Sequence, residues 1–268
     1  MTIIAMGREM GSGGNKIAQG IAKKLKLALV HYEVIDHLSD RSRVRRSHVV
    51  RLLDPKDDPG SELTAEHTLP AILSAYEILE LASMPEGALL RGWGATALLK
   101  EVSHVVRVRV TAPVEDRIKV LKKKFPKALE ETLRQEVTLF DEAHSAIMKR
   151  HFDTNYVDPG LYHLTLDTGK TSVNKCIDQI VTLVREPRFA PTAASKKKLD
   201  SLMTEAHVKA LLKLHPPTRN LAIQVAAEGR VVRLAGQVAS DEIKARCELV
   251  AWRVPGIEGV QNGLAVAA

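Results

Sequence analysis

The sequence predicts an α/β chain: a mostly parallel sheet with helices on both faces, followed by a small α+β module of order αββαβ. Three observations carry this expectation. Strand-like and helix-like segments alternate over residues 1–186 with crossovers of helical length, and such crossovers join parallel strands. A glycine-rich turn joins the first strand to the first helix within residues 3–18. The pattern then breaks over residues 187–200, where Pro187, Pro191, small residues and Lys196-Lys197-Lys198 replace apolar periodicity. The expected division is a first domain at 1–186, a basic linker at 187–200 and a second domain at 201–268.

In chain order, Ile3 to Met6 reads as a buried strand, and Gly7 to Gly14 as a turn. Ile17, Ile21, Ala22 and Leu25 recur at helical spacing, with Lys23, Lys24 and Lys26 placed to favour the negative end of the helix dipole. Leu27 to Tyr32 returns to the sheet, and residues 39–85 are mostly helical around a break at Asp54 to Gly60. Thr68 to Ala82 is the clearer helix there, ended by Pro85-Glu86-Gly87. Ala88 to Gly94 is a strand running into a turn, and Val105 to Val110 alternates β-branched and basic residues before the stop at Thr111-Ala112-Pro113.

Helices are expected over Val114 to Lys124 and Leu129 to Arg150, a strand over Tyr162 to Thr168, and a helix capped by Ser172 and running to Arg185. Beyond the linker come a helix from Leu199 to Leu214, strands at 221–226 and 231–238, and a helix over Asp241 to Arg253 capped by Ser240. Pro255-Gly256 ends that helix, and Ile257 to Val266 is the closing strand.

The net charge of +7 suits anionic partners such as nucleotides, nucleic acid or an acidic membrane surface. Four Tyr, four Phe and two Trp in 268 residues are few platforms for base stacking, which argues against a nucleic-acid binder. Cys176 and Cys247 are too few for a disulfide framework or a metal cluster and read as buried thiols. The chain enters its first strand without a charged leader, and no run approaches the length of a membrane span; the expected setting is cytoplasmic.

Candidate chemistry centres on the glycine turn. A strand, a glycine-rich turn and a helix start form a cradle in which backbone N–H groups and the helix dipole favour phosphate. Gly11, Ser12, Gly13 and Gly14 are the expected phosphate-binding backbone, but Gly14 stands where G-x-x-x-x-G-K-[ST] has its lysine. Arg8 and Lys16 flank the glycines and are candidates for the missing charge. Arg91 lies at the carboxyl end of a strand, where open α/β sheets bind ligands, and is followed by Gly92. Arg117 begins a basic helix that could close over phosphates, whereas Lys122, Lys123 and Lys124 read as a solvated face.

Together these residues resemble the cytidylate kinase-like family over about Thr2 to Arg185. Arg8-Glu9-Met10-Gly11-Ser12-Gly13-Gly14 is similar to its R-E-[FY]-G-S-G-G loop, and Ala112-Pro113-Val114-Glu115-Asp116-Arg117-Ile118 to its A-P-x-x-x-R-I segment. Arg91-Gly92 and the helix carrying Asp141 complete the likeness. The resemblance implies a P-loop kinase-like fold, ATP with Mg2+ as phosphoryl donor, and a pyrimidine monophosphate such as CMP as acceptor. On that reading Arg91 and Arg117 are catalytic, Arg8, Gly11, Ser12, Gly13, Gly14 and Lys16 hold phosphate, and Ser12 helps hold the metal. The chain departs from the pattern at His144, where relatives carry arginine, and at His163, where aspartate is usual; Glu33 after Tyr32 is a milder change.

The C-terminal part resembles a BON domain. The likeness rests on Ile223-Gln224-Val225, on Val231 to Val238 with Gly236, and on Val254-Pro255-Gly256-Ile257-Glu258-Gly259-Val260-Gln261-Asn262-Gly263-Leu264. That resemblance implies a phospholipid or protein partner for the module. Two functions follow for the whole chain: phosphoryl transfer from ATP to a nucleoside monophosphate, or a weakly active or inactive nucleotide sensor that regulates what the BON module contacts.

Overall fold

The computed structural model describes residues 1–30, 65–92 and 94–267. The expected break at 54–60 and the Tyr32-Glu33 pair lie outside the described residues. The first domain contains β1 (Ile3–Arg8), α1 (Gly14–Leu25), β2 (Ala28–Val30), α2 (Ala65–Ala82), β3 (Ala88–Arg91), α3 (Ala95–Leu98) and β4 (Val105–Thr111). It continues with α4 (Val114–Lys124), α5 (Glu130–Phe152), β5 (Leu164–Asp167) and α6 (Val173–Val184).

The five strands lie in the order β2-β3-β1-β4-β5, and every pairing is parallel. β1 sits at the centre, with Met6 opposite Arg91 of β3 and Arg8 opposite Val110 of β4. Its carboxyl end is therefore the switch point of the sheet, between the strands carrying Arg91 and Arg109. The alternation of side chains splits β1 between two cores. Ile4 and Met6 pack with Ile17 and Ile21 of α1 and Ile177 and Ile180 of α6, while Ile3 and Ala5 face α2.

The second domain is built from α7 (Ala193–Leu214), β6 (Gln224–Glu228), β7 (Val231–Val238), α8 (Asp241–Ala251) and β8 (Gly259–Val266). β6 pairs antiparallel and β8 parallel with the central β7, which gives the expected αββαβ order on a mixed sheet. Ser240 caps α8 by accepting from the Ile243 N–H, as its position suggests. Among the described residues no helix is long and apolar enough to cross a membrane. Both cysteines are buried and free, and burial pushes their thiols up, which leaves them unreactive.

One helix begins six residues earlier than expected. α7 starts at Ala193, so Lys196, Lys197 and Lys198 belong to its first two turns. A reciprocal capping box fixes this start: Thr192 Oγ1 accepts from the Ser195 N–H and Ser195 Oγ from the Thr192 N–H. The lysines are held by the fold, with Lys197 paired to Glu228 at 2.7 Å and Lys198 to Glu101 at 2.5 Å.

α7 also joins the two cores. Leu199, Ala206 and Ala210 complete the core that contains α2 and Leu90 of β3, whereas Val208 and Leu212 enter the core of the second domain. His207 lies against the Tyr76 ring of α2, with centroids 4.5 Å apart, and His104 Nδ1 is 2.8 Å from Ser195 Oγ. The second domain is thus packed on the first through its opening helix.

Candidate functional site

The glycine turn is shaped by contacts on both sides. The Glu9 N–H donates to Val110 O at 3.0 Å, extending the β1 pairing by one residue, and the chain then folds back so that Ser12 N–H and Oγ both donate to Glu9 O. Gly11 and Gly13 take positive φ values of 81° and 75°, which side chains resist. At Gly11 there is also no room: a Cβ would meet Arg117 O at 2.7 Å and Arg117 Cα at 3.0 Å.

Gly13 stands at the N-cap of α1, where no side chain accepts a hydrogen bond and no acidic residue occupies the first turn. The helix therefore offers its opening N–H groups and dipole to an external anion. Arg91 approaches the same helix turn from β3. Its Nη1 donates to Asn15 Oδ1 at 2.9 Å, and the following Gly92 donates its N–H to Met6 O at 3.0 Å. Among the described residues nothing lies within 4 Å of where a Cβ on Gly92 would be.

Arg117 lies beneath the loop. It is 2% exposed, and its Nε donates to Met10 O at 2.6 Å while Nη1 and Nη2 form a fork on Asp141 at 2.7 and 2.8 Å. Glu9 Oε2 is 3.5 Å away. Glu9 is itself satisfied by Arg109 Nη2 at 2.7 Å, Thr111 Oγ1 at 2.5 Å and the Ala112 N–H at 3.3 Å. In this conformation most donors of Arg117 serve the loop and α5.

The other expected residues separate. Ser12, expected to help hold the metal, is 2% exposed with its hydroxyl turned to Glu9 O, and its own carbonyl accepts from Thr168 Oγ1 at 2.8 Å. Lys16 is exposed in the first turn of α1. Gly14 packs against the Arg8 side chain. Lys122, Lys123 and Lys124 are exposed, as expected of a solvated face.

Three residues of this constellation were not among the expected site residues. Asn15 follows Gly14, at the place where G-K-[ST] has its metal-binding hydroxyl, and its carboxamide oxygen accepts from Arg91. Counting one residue further along the loop would have found it. Glu9 and Asp141 are joined to Arg117 across 108 and 24 positions of sequence, a closure that local spacing does not signal.

His144 lies between the rings of Phe140 and Tyr156, with centroids at 6.1 and 4.0 Å. It is pushed down to about 4 by burial first, then by the cations Arg8 and Arg109, against the opposing pull of Asp141. His163 is likewise pushed down to about 4, by burial and by Arg107 and Arg188, and its Nδ1 accepts from the Arg107 N–H at 3.0 Å. Both rings are neutral at physiological pH, so neither replaces a cation or an anion there.

An acid sensitivity follows. The folded protein binds fewer protons at these two rings than the unfolded chain does between the ordinary histidine value of 6.5 and about 4. Their contribution to stability is complete above pH 6.5 and is lost as pH falls through that window. Thermal melts from pH 7 to 4 should show a falling Tm, with a shallower fall in His163→Asn. An equal slope in that variant would rule out His163 as a contributor.

The arrangement has the elements of a phosphate cradle: two glycines that turn the loop, a helix start with no side-chain cap, and arginines at 8 and 91. The model of the cytidylate kinase-like family matches residues 3–170, and that of the BON domain matches residues 201–268. No curated protein matches the chain.

Among solved structures, an uncharacterized protein from Eubacterium ventriosum is 18% identical with a TM-score of 0.54, covering 69% of this chain and 98% of its own. A shikimate kinase from Bacteroides thetaiotaomicron is 11% identical with a TM-score of 0.43, covering 69% and 99%. A shikimate kinase from Acinetobacter baumannii is 15% identical with a TM-score of 0.39, covering 69% and 93%. With its matching loop, its parallel sheet and the family match over most of the first domain, the chain belongs to the cytidylate kinase-like family and carries a BON domain at its C-terminal end.

Proposed function

We propose that the first domain transfers the terminal phosphoryl group of ATP to a nucleoside monophosphate, CMP or dCMP in the first instance. The observation that carries this reading is the uncapped start of α1 behind Gly11 and Gly13, faced by Arg91 from the neighbouring strand. The N–H groups from Gly11 to Gly14 would hold the donor phosphates, with Arg8 and Lys16 as candidate cations and Arg91 gripping the acceptor phosphate. Mg2+ would neutralise charge on the donor phosphates; Ser12 would serve it only by turning its hydroxyl from Glu9 O, and Asn15 only by releasing Arg91. No general base is needed, because an acceptor phosphate is already anionic and positioning with charge neutralisation does most of the work. The BON domain would contact phospholipid or a protein partner in the cytoplasm.

A second reading has its own support. Gly14 replaces the phosphate-gripping lysine, Arg117 is committed to Met10 and Asp141, and His144 is neutral. These departures suit a nucleotide sensor, and α7, packed into both cores, is a physical link to the BON domain.

The deciding experiment is ADP formation by the purified full chain with ATP, Mg2+ and each monophosphate in turn. Turnover that requires one pyrimidine monophosphate supports the kinase reading. ATP binding without acceptor-dependent turnover supports the sensor and removes the kinase.

A further inference from the structure

Aligned with G-x-x-x-x-G-K-[ST] through Gly13 as the second glycine, the loop places Arg8 at the first glycine and Gly14 at the lysine. The two departures are reciprocal. A cation stands where glycine is expected, and a glycine where the cation is expected.

The geometry explains why they occur together. A Cβ built on Gly14 would lie 2.9 Å from Arg8 Cβ, 3.1 Å from Cδ and 3.5 Å from Cγ. The first of these contacts cannot be relieved by rotating a side chain, because both atoms are fixed by backbone. The end of β1 and the start of α1 approach so closely that a Cβ on both residues would force the two backbones apart. In this chain Gly14 lacks one, and the stem of Arg8 runs across the point from which a lysine at 14 would depart.

We propose that Arg8 supplies the phosphate-binding cation of the loop from the strand side, in exchange for the lysine that the helix side has given up. This deepens the nucleotide-binding reading and rests on it. Lys16 is the other flanking cation, but it is exposed in the first turn of α1, whereas Arg8 is half-buried against the loop. The Arg8 charge is felt by His144 of α5, whose pKa it helps to lower. A guanidinium also presents a planar fork, which suits two phosphate oxygens at once.

The exchange is tested by calorimetric titration of the full chain with MgATP and with inorganic triphosphate, alongside circular dichroism of every variant. The wild type should bind both. Arg8→Gln, which keeps the stem over Gly14 and removes the charge, should weaken both by about tenfold or more, the scale of one charge-assisted contact. Arg8→Lys should retain most of the affinity.

Gly14→Lys alone should bind no better than wild type, since its Cβ meets that of Arg8. The double variant Arg8→Gly/Gly14→Lys should recover binding to within about threefold of wild type, far above Arg8→Gly, a coupling expected only of residues that share one space. Wild-type affinity in Arg8→Gln, or a folded double variant no tighter than Arg8→Gly, would overturn the exchange while leaving nucleotide binding intact. Absence of binding by the wild type would remove the nucleotide reading and the exchange with it.

Discussion

Arg91→Ala is expected to lower acceptor-dependent ADP formation by tens to about a thousandfold while leaving the fold almost unchanged. The magnitude is that of removing one preorganised charge-assisted contact to a reacting phosphate, roughly 2 to 4 kcal/mol of transition-state stabilisation. Preorganisation is the feature that makes so large a value reasonable. Arg91 is 8% exposed, its strand is held to β1 through residue 91 itself, and Asn15 Oδ1 fixes one arm of the fork.

The backbone of β3 does not depend on this side chain, so the parallel ladder survives the substitution, with a fall in Tm from the loss of a buried, hydrogen-bonded arginine. Arg91→Lys should restore only part of the rate, since an ammonium cannot reproduce a planar fork. Asn15→Ala, which releases the guanidinium without removing it, should cost less than Arg91→Ala. Full turnover in Arg91→Ala would show that the acceptor phosphate is held elsewhere.

The sheet and its site were legible in the sequence to different depths. Strands β1, β3 and β4 are short apolar or β-branched runs bounded by glycine or proline, and the same feature that buries them makes them visible. The Gly11-Ser12-Gly13-Gly14 run announced a turn, yet each glycine has a separate cause. Gly13 is a left-handed helix cap, Gly11 lies against the Arg117 backbone, and Gly14 lies against Arg8. The left-handed backbone of Gly13 and Gly11 is a local property, whereas the contacts of Gly11 and Gly14 are not.

Ser12 shows the same limit. Its residue type suits a metal ligand, but its hydroxyl completes the turn onto Glu9 O. The start of α7 was obscured because Ala193 to Lys198 has no apolar stripe. There the evidence was the Thr192 and Ser195 cap pair, which uses serine where the usual signature has glutamate or glutamine.

The network beneath the loop was the least legible part and has the largest expected effect on stability. Arg117→Ala should destabilise the protein by roughly 3 to 5 kcal/mol, the range for removing one partner of a buried, hydrogen-bonded charge group. It would leave Met10 O without its donor and release Asp141 of α5 from its anchor beneath the loop. For a chain of this length the corresponding fall in Tm is about 6 to 20 °C.

Asp141→Asn should cost less, because the Asp141 side chain is 39% exposed and water can take over part of its role, whereas the Arg117 side chain is 2% exposed. Arg117→Lys keeps the charge but can satisfy Met10 O and the Asp141 carboxylate only one contact at a time, so it should fall between the two. The order Arg117→Ala, Arg117→Lys, Asp141→Asn in decreasing damage is what a keystone under the loop requires. If Arg117 instead served only the transferring phosphoryl group, all three variants would melt with the wild type and differ in rate alone. Paired Tm and turnover measurements therefore separate an arginine that builds the phosphate loop from one that reaches across it.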